Sequence, residues 1–109
     1  MSSALDVLTG KRAVGDEVVV VGAGFVGCET AVFLAQKGKK VTVIEMLDRL
    51  LPQPQFPLND MMLKALVEQS GIRVMVNTKL VGVDERGAQV ERAGKTEHID
   101  CDSVVLALG

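Results

Sequence analysis

Tryptophan and tyrosine are absent from the 109 residues and only three phenylalanines occur. A chain so poor in aromatic rings has no platform on which to stack nucleic-acid bases. Cysteine is nearly as scarce: Cys28 and Cys101 are far apart and form no CxxC pair, which excludes a redox dithiol or a zinc site of ordinary spacing. Neither sign of charge dominates. Twelve basic and 14 acidic residues leave a formal net charge of −2, so there is no basic footprint for nucleic acid or an acidic membrane. No apolar run approaches the ~20 residues of a membrane span, and nothing at the N-terminus reads as a signal peptide. The expected setting is the reduced cytoplasm, with no membrane and no nucleic acid as partner. Repeats, low-complexity tracts and linkers are missing too. One domain is expected, and at this length it can bury roughly 65% of its unfolded surface.

What is present is a regular alternation of elements. Residues 1–15 read as a leading segment with a short helix over Ser3–Thr9, capped by Ser3 and ended by Gly10. Glu17–Val21 is a β-branched run without alternation, the mark of a strand covered on both faces. Phe25–Lys37 has the composition of a helix and Gly38 terminates it. Lys40–Glu45 reads as the second strand. Pro52, Pro54 and Pro57 make a loop of residues 46–57. Asn59 is expected to cap a second helix to about Ser70, burying Met62, Leu63, Leu66 and Val67. Ile72–Val76 is the third strand.

The rhythm then changes. Thr78–Asp84, Ala88–Arg92 and Thr96–Asp100 are short segments with spacers Glu85–Gly87 and Ala93–Lys95. Spacers this short hold hairpin turns, not crossover helices, so these segments form an antiparallel meander. Ser103–Gly109 is again wholly apolar in its interior and is expected to return to the parallel sheet. The expected fold is α/β and Rossmann-like: β-α-β-α-β, a three-stranded meander, then a last parallel strand. Right-handed crossovers build outward in one direction, so a last strand on the far side of the first creates a topological switch point. Gly22 and Gly109 stand at the ends of those two strands, where open α/β sheets bind ligands.

Gly22-Ala-Gly24-Phe25-Val26-Gly27 is a GxGxxG motif that follows a strand and opens a helix. In that context each glycine has a task. Gly22 permits the tight turn, Gly24 leaves room for a pyrophosphate, and Gly27 lets helix and strand approach. Unpaired N–H groups at the helix start then hold phosphate. No Lys-Ser/Thr follows, which excludes a triphosphate P-loop. Glu45, 23 residues after Gly22, closes the second strand, where a carboxylate accepts hydrogen bonds from ribose hydroxyls. Met46 and Leu47 follow it, so no adjacent cation offers a partner to a 2′-phosphate. The pattern points to NAD(H) over NADP(H).

GAGFVGCETA, VTVIEMLDRLL, the meander and the terminal VVLALG together resemble the NAD-binding domain of the pyridine-nucleotide-dependent flavoprotein oxidoreductases, from about Asp16 to Gly109. The leader ALDVLTGK and the stretch VGCETAVFLAQKGKKVTVIEML are most similar to NADH:flavin oxidoreductases of the 2-enoate reductase and 2,4-dienoyl-CoA reductase type. The resemblance implies residues 16–109 as an NAD(H)-binding domain taken from a larger chain, since the family's proline-containing stretch after Gly109 is missing. It implies FAD and FMN elsewhere in the parent protein, with the flavin-bearing domains of that chain as partners. It also implies that Glu29 faces the nicotinamide end, that Leu80 lines the adenine pocket, and that Gly109 lets backbone approach the cofactor. Catalytic residues and metal ligands are not expected in this segment, which alone should turn nothing over.

Cys28 reads as a small buried helix residue, and Cys101 and His98 as packing or surface residues without partners. The methionines read as core filler and loop contacts. Two other readings remain at this point. An FAD-binding domain of the same proteins has a similar glycine motif, but the resemblance implies that such a domain is split by an insertion. A nucleotide-sensing regulatory module keeps alternating strand and helix where this chain changes to a meander.

Overall fold

The computed structural model describes residues 2–3, 15–48 and 57–107. Ser2 and Ser3 form the two-residue strand β1 (Ser2–Ser3). Ser3 is therefore extended and not a helix cap, and the remainder of the expected leading helix lies outside the described residues. Strand β2 (Glu17–Val21) is the centre of the fold. Its four valines favour extended backbone, and both faces of the strand are covered. Val18 and Val20 enter one apolar cluster, Val19 and Val21 another. That double burial is why the run shows no alternation.

Helix α1 (Phe25–Gln36) follows the glycine turn. It ends as expected at Gly38, whose φ of +85° lets Gly38 N–H reach Ala35 O and Lys39 N–H reach Leu34 O, the paired bonds that close a helix C-terminus. Strand β3 (Lys40–Ile44) is next. Helix α2 (Pro57–Gln69) starts three residues earlier than a cap at Asn59 implies, so Asn59 lies within it. Proline has no N–H to lose at a first helical position, so Pro57 opens the helix where the sequence reading had it breaking one. The buried stripe of α2 is also narrower. Leu63 and Val67 are buried, whereas Met62 is 60% exposed and Leu66 39%. Of the described methionines only Met75 is core; Met46, Met61 and Met62 are exposed.

Strand β4 (Arg73–Met75) completes the helical half. The meander is β5 (Thr78–Asp84), β6 (Gly87–Arg92) and β7 (Lys95–Asp100), and β8 (Ser103–Leu106) follows it. Strands β1 to β4 and β8 form one parallel sheet in the order β1-β8-β2-β3-β4, and the meander is a separate antiparallel sheet. The last strand thus lies beside β2, opposite β3, as the switch point requires. Helices cover one face of the parallel sheet. The meander covers the other through Ala88, Val90 and Ile99, which pack with Val19, Val21 and Ile44. The fold has three layers.

The first meander strand has the expected bounds, and the second and third each begin one residue earlier than expected, so the meander turns contain two residues and not three. Ala93 and Gly94 both have positive φ, +53° and +77°, the primed turn that suits twisted strands. Alanine is strained there because its Cβ crowds the following carbonyl. Ala93→Asn should therefore stabilise the chain by about 0.5–1 kcal/mol, read as a higher urea midpoint with unchanged slope. A lowered midpoint would show that the strain lies elsewhere.

Candidate functional site

The carboxyl ends of β2, β3 and β8 meet the start of β5, and the chain between β2 and α1 turns sharply there. Gly22 has φ +106° and its N–H donates to Ile44 O at 2.8 Å, a conformation that side chains rarely adopt. A Cβ on Gly27 would overlap Gly22 O and lie 2.9 Å from Gly22 C and 3.3 Å from Ala107 Cβ. Helix α1 can sit this close to the strands only with glycine there. Gly24 differs. It is the N-cap of α1, and a Cβ built on it meets nothing within 4 Å. It caps the helix with no side-chain hydrogen bond, and the first i→i+4 bond is Cys28 N–H to Gly24 O at 3.0 Å. The N–H groups ahead of Cys28 have no carbonyl a turn earlier in the helix to bond, as at any helix start, which leaves them donors for an anion.

Glu45 follows β3 directly. Its Oε1 accepts the Ala23 N–H at 2.9 Å and its Oε2 accepts the Leu47 N–H at 3.0 Å. The carboxylate is thus tied both to the glycine turn and to the loop after β3. Beside it lies a cavity of about 230 Å³. Val21, Ile44, Leu80 and Leu106 give it apolar lining, together with Gly22, Glu45, Met46, Thr78 and Lys79. This volume is below that of a pocket for a whole drug-sized ligand, so it suits one end of a dinucleotide.

The cavity brings together Gly22, Glu45 and Leu80 of the expected site. Phe25 and Val26 sit on the first turn of α1 and are 42% and 48% exposed. Gly27 is buried in the seam between helix and strands. Glu29 is exposed, is the fifth helical residue, and does not line the cavity. Gly109 lies outside the described residues; Leu106 takes its place at the described end of β8. Sequence reasoning missed Met46, Thr78 and Lys79, and it missed the Ala23 amide as a partner of Glu45. Thr78 is 1% exposed, with its hydroxyl bonded to Val76 O at 2.8 Å. Only the β4–β5 corner places it here, and no motif signals that corner.

Away from the cavity the meander holds a second polar group. Asp84 accepts hydrogen bonds from the Gln89 side chain at 2.9 Å and from the Arg86 and Gly87 N–H groups at 2.8 and 3.1 Å. These donors, Gln89 foremost, hold its carboxyl down at about 2. His98 is not without partners: Nε2 lies 3.5 Å from Asp84 and Nδ1 3.2 Å from Asp100. Cys101 is partly buried, which pushes its thiol up and makes it a poor nucleophile. Cys28 is fully buried, with Sγ 3.4 Å from Ala23 O.

Comparison with known proteins agrees with this geometry. The model of the pyridine nucleotide-disulphide oxidoreductase family matches residues 3–109. Cinnamate reductase from Clostridium sporogenes is 37% identical over 109 residues, covering 98% of this chain and 16% of the relative. NADH oxidase from Thermoanaerobacter brockii is 39% identical over 109 residues, covering 97% of this chain and 17% of the relative. Among solved structures, 2-naphthoyl-CoA reductase superimposes with a TM-score of 0.89 at 29% identity, over 99% of this chain and 16% of that one. The chain spans about a sixth of the length of these relatives. The likeness therefore concerns one domain of large enoate-reductase-like flavoproteins, whose family binds FAD and NAD(P)H. Since the family model matches all but the first two residues, the chain belongs to the pyridine nucleotide-disulphide oxidoreductase family.

Proposed function

We propose that this chain is the NAD(H)-binding domain of a flavin-dependent oxidoreductase similar to the 2-enoate and 2,4-dienoyl-CoA reductases. The observation that carries the reading is Glu45, which lines an apolar cavity and whose carboxylate is held by the Ala23 and Leu47 amides. A carboxylate has about four acceptor positions. Two are occupied by those amides, and the others are available to the hydroxyls of an adenosine ribose. Ile44 and Leu80 offer apolar walls to the adenine. The open space before Gly24 and the uncapped start of α1 would take the pyrophosphate. The uninterrupted order of elements, with one glycine turn, further supports an NAD(H) domain over an FAD domain.

The bound dinucleotide supplies hydride, and a flavin carried by other domains of the parent chain accepts it. The residues here bind and orient. Gly22, Gly24 and Gly27 shape the turn, Phe25 and Val26 flank it, and Glu29 lies further along α1 toward the expected nicotinamide end.

Titration calorimetry with NADH, NADPH and FAD tests the reading. NADH should bind in preference to NADPH, because Glu45 repels a 2′-phosphate. Lys79 is the cation that lines the cavity, but it stands directly across from Glu91 in the meander, which sets an acid beside it. Glu45→Ala should weaken NADH by about 1–3 kcal/mol, since the ribose loses a charged acceptor. Equal or tighter binding of NADPH by the unaltered chain would defeat the proposal, and preferential binding of FAD would replace it.

A further inference from the structure

Three segments distant in sequence meet around Glu45. Glu45 Oε1 holds the Ala23 amide of the glycine turn, and Oε2 holds the Leu47 amide of the loop after β3. The Leu47 carbonyl in turn accepts the Asn77 N–H at 2.8 Å, and the Glu45 carbonyl accepts the Thr78 N–H at 2.8 Å. A continuous series of bonds thus runs from the β4–β5 corner to the glycine turn, with the Glu45 side chain as its last step.

Asn77 sets the far end of that series. Its φ is +52°, in the left-handed region, which among the described non-glycine residues only Ala93 shares. Asparagine tolerates this conformation better than other side chains do, and β-branched residues tolerate it worst. The conformation aims the Asn77 N–H at Leu47 O. Asn77 is exposed and is not among the residues lining the cavity, so its influence on a ligand has to pass through the loop it holds.

We propose that Asn77 is a positioning residue that sets preference for NADH over NADPH by keeping the Glu45 carboxylate fixed at the ribose end of the cavity, a role that rests on the NAD(H) reading above. A pinned carboxylate is aimed at ribose hydroxyls and cannot swing away from a 2′-phosphate. If Leu47 is released, the carboxylate turns more freely. Aim at the ribose is then lost and repulsion of the phosphate is relieved, so the ratio of the two affinities falls from both sides.

The test compares the unaltered chain with Asn77→Val and Asn77→Gly. It reads the dissociation constants of NADH and NADPH, and the amide exchange of Ala23 and Leu47 without ligand. Asn77→Val should lower the NADH:NADPH preference roughly tenfold, what one charge-assisted hydrogen bond is worth. It should also speed exchange at Ala23 and Leu47 while Val20 and Val43, in the sheet core, exchange as before. Asn77→Gly accepts the same φ and should restore both readouts. An unchanged preference in Asn77→Val, or an equal loss of both dinucleotides, overturns the proposal, because the residue would then be merely structural. If the unaltered chain binds neither dinucleotide or prefers FAD, the NAD(H) reading falls and the specificity role with it. The exchange measurement stands apart from that reading: unchanged exchange at Ala23 in Asn77→Val overturns the positioning role whatever the cofactor.

Discussion

Replacing Gly24 with valine should abolish dinucleotide binding and leave the chain folded, at a cost of about 1 kcal/mol because valine is a poorer N-cap than glycine. The two halves of that expectation have separate causes. Gly24 has φ −72° and ψ −171°, extended backbone that any residue adopts. A Cβ there meets nothing within 4 Å, so no clash opposes the substitution and only the weaker cap counts against it. Gly24 is the N-cap, so a side chain on it would stand next to the uncapped amides of α1. An isopropyl group placed there would hold a pyrophosphate away from those donors and from the positive end of the helix. Titration calorimetry and a urea transition on the same sample read both quantities. Normal binding by the variant would mean that the phosphates lie elsewhere, and the glycine turn would lose its assignment. A large loss of stability would mean that the space before Gly24 is filled by the protein itself.

The elements were legible in the sequence wherever a local rule was strong. Four valines in a row, a glycine stop after each helix, and glycine in each short meander spacer suffice for the strands, for α1 and for the change from crossover to hairpin. The switch point was legible too, because handedness leaves few ways to lay down β-α-β-α-β. What the sequence does not disclose depends on neighbours. Met62 and Leu66 have the helical spacing of core residues, yet among the described side chains α2 buries Leu63 and Val67 and leaves these two exposed. Spacing reports periodicity and not how wide the contact is. Pro57 reads as a breaker until its place at the first helical position is known. The site shows the same division. Gly22, Gly27 and Glu45 announce themselves by motif and spacing. Thr78, Lys79 and the Ala23 amide come to the cavity only through the meeting of β3, β5 and the glycine turn. His98 likewise acquires its carboxylates through strand register, since Asp84 is 14 residues away along the chain.

Gly27→Ala should fail in the opposite way to Gly24→Val, losing stability first and binding as a consequence. The added methyl would overlap Gly22 O and press on Gly22 C at 2.9 Å. These are backbone atoms with no rotamer to change, and both sides of the seam are clamped. Gly22 N–H is bonded to Ile44 O, and Ala107 N–H to Val21 O, each at 2.8 Å. Relief must come from α1 lifting off the sheet, which loosens the packing of Cys28, Ala31 and Leu34 against Val18, Val20 and Val43. Overpacking of this kind costs about 1–3 kcal/mol, and more when nothing can yield. For a chain of this size each kcal/mol lowers Tm by about 4–8 °C. The helix start moves with the helix, so dinucleotide affinity falls even though no residue that would touch the ligand has changed. A second substitution identifies the obstruction. Ala107→Gly removes the neighbour at 3.3 Å but leaves Gly22 O in place, so it should not rescue Gly27→Ala. Full recovery in the double variant would show that a side chain, and not the backbone of the turn, sets the distance between helix and sheet.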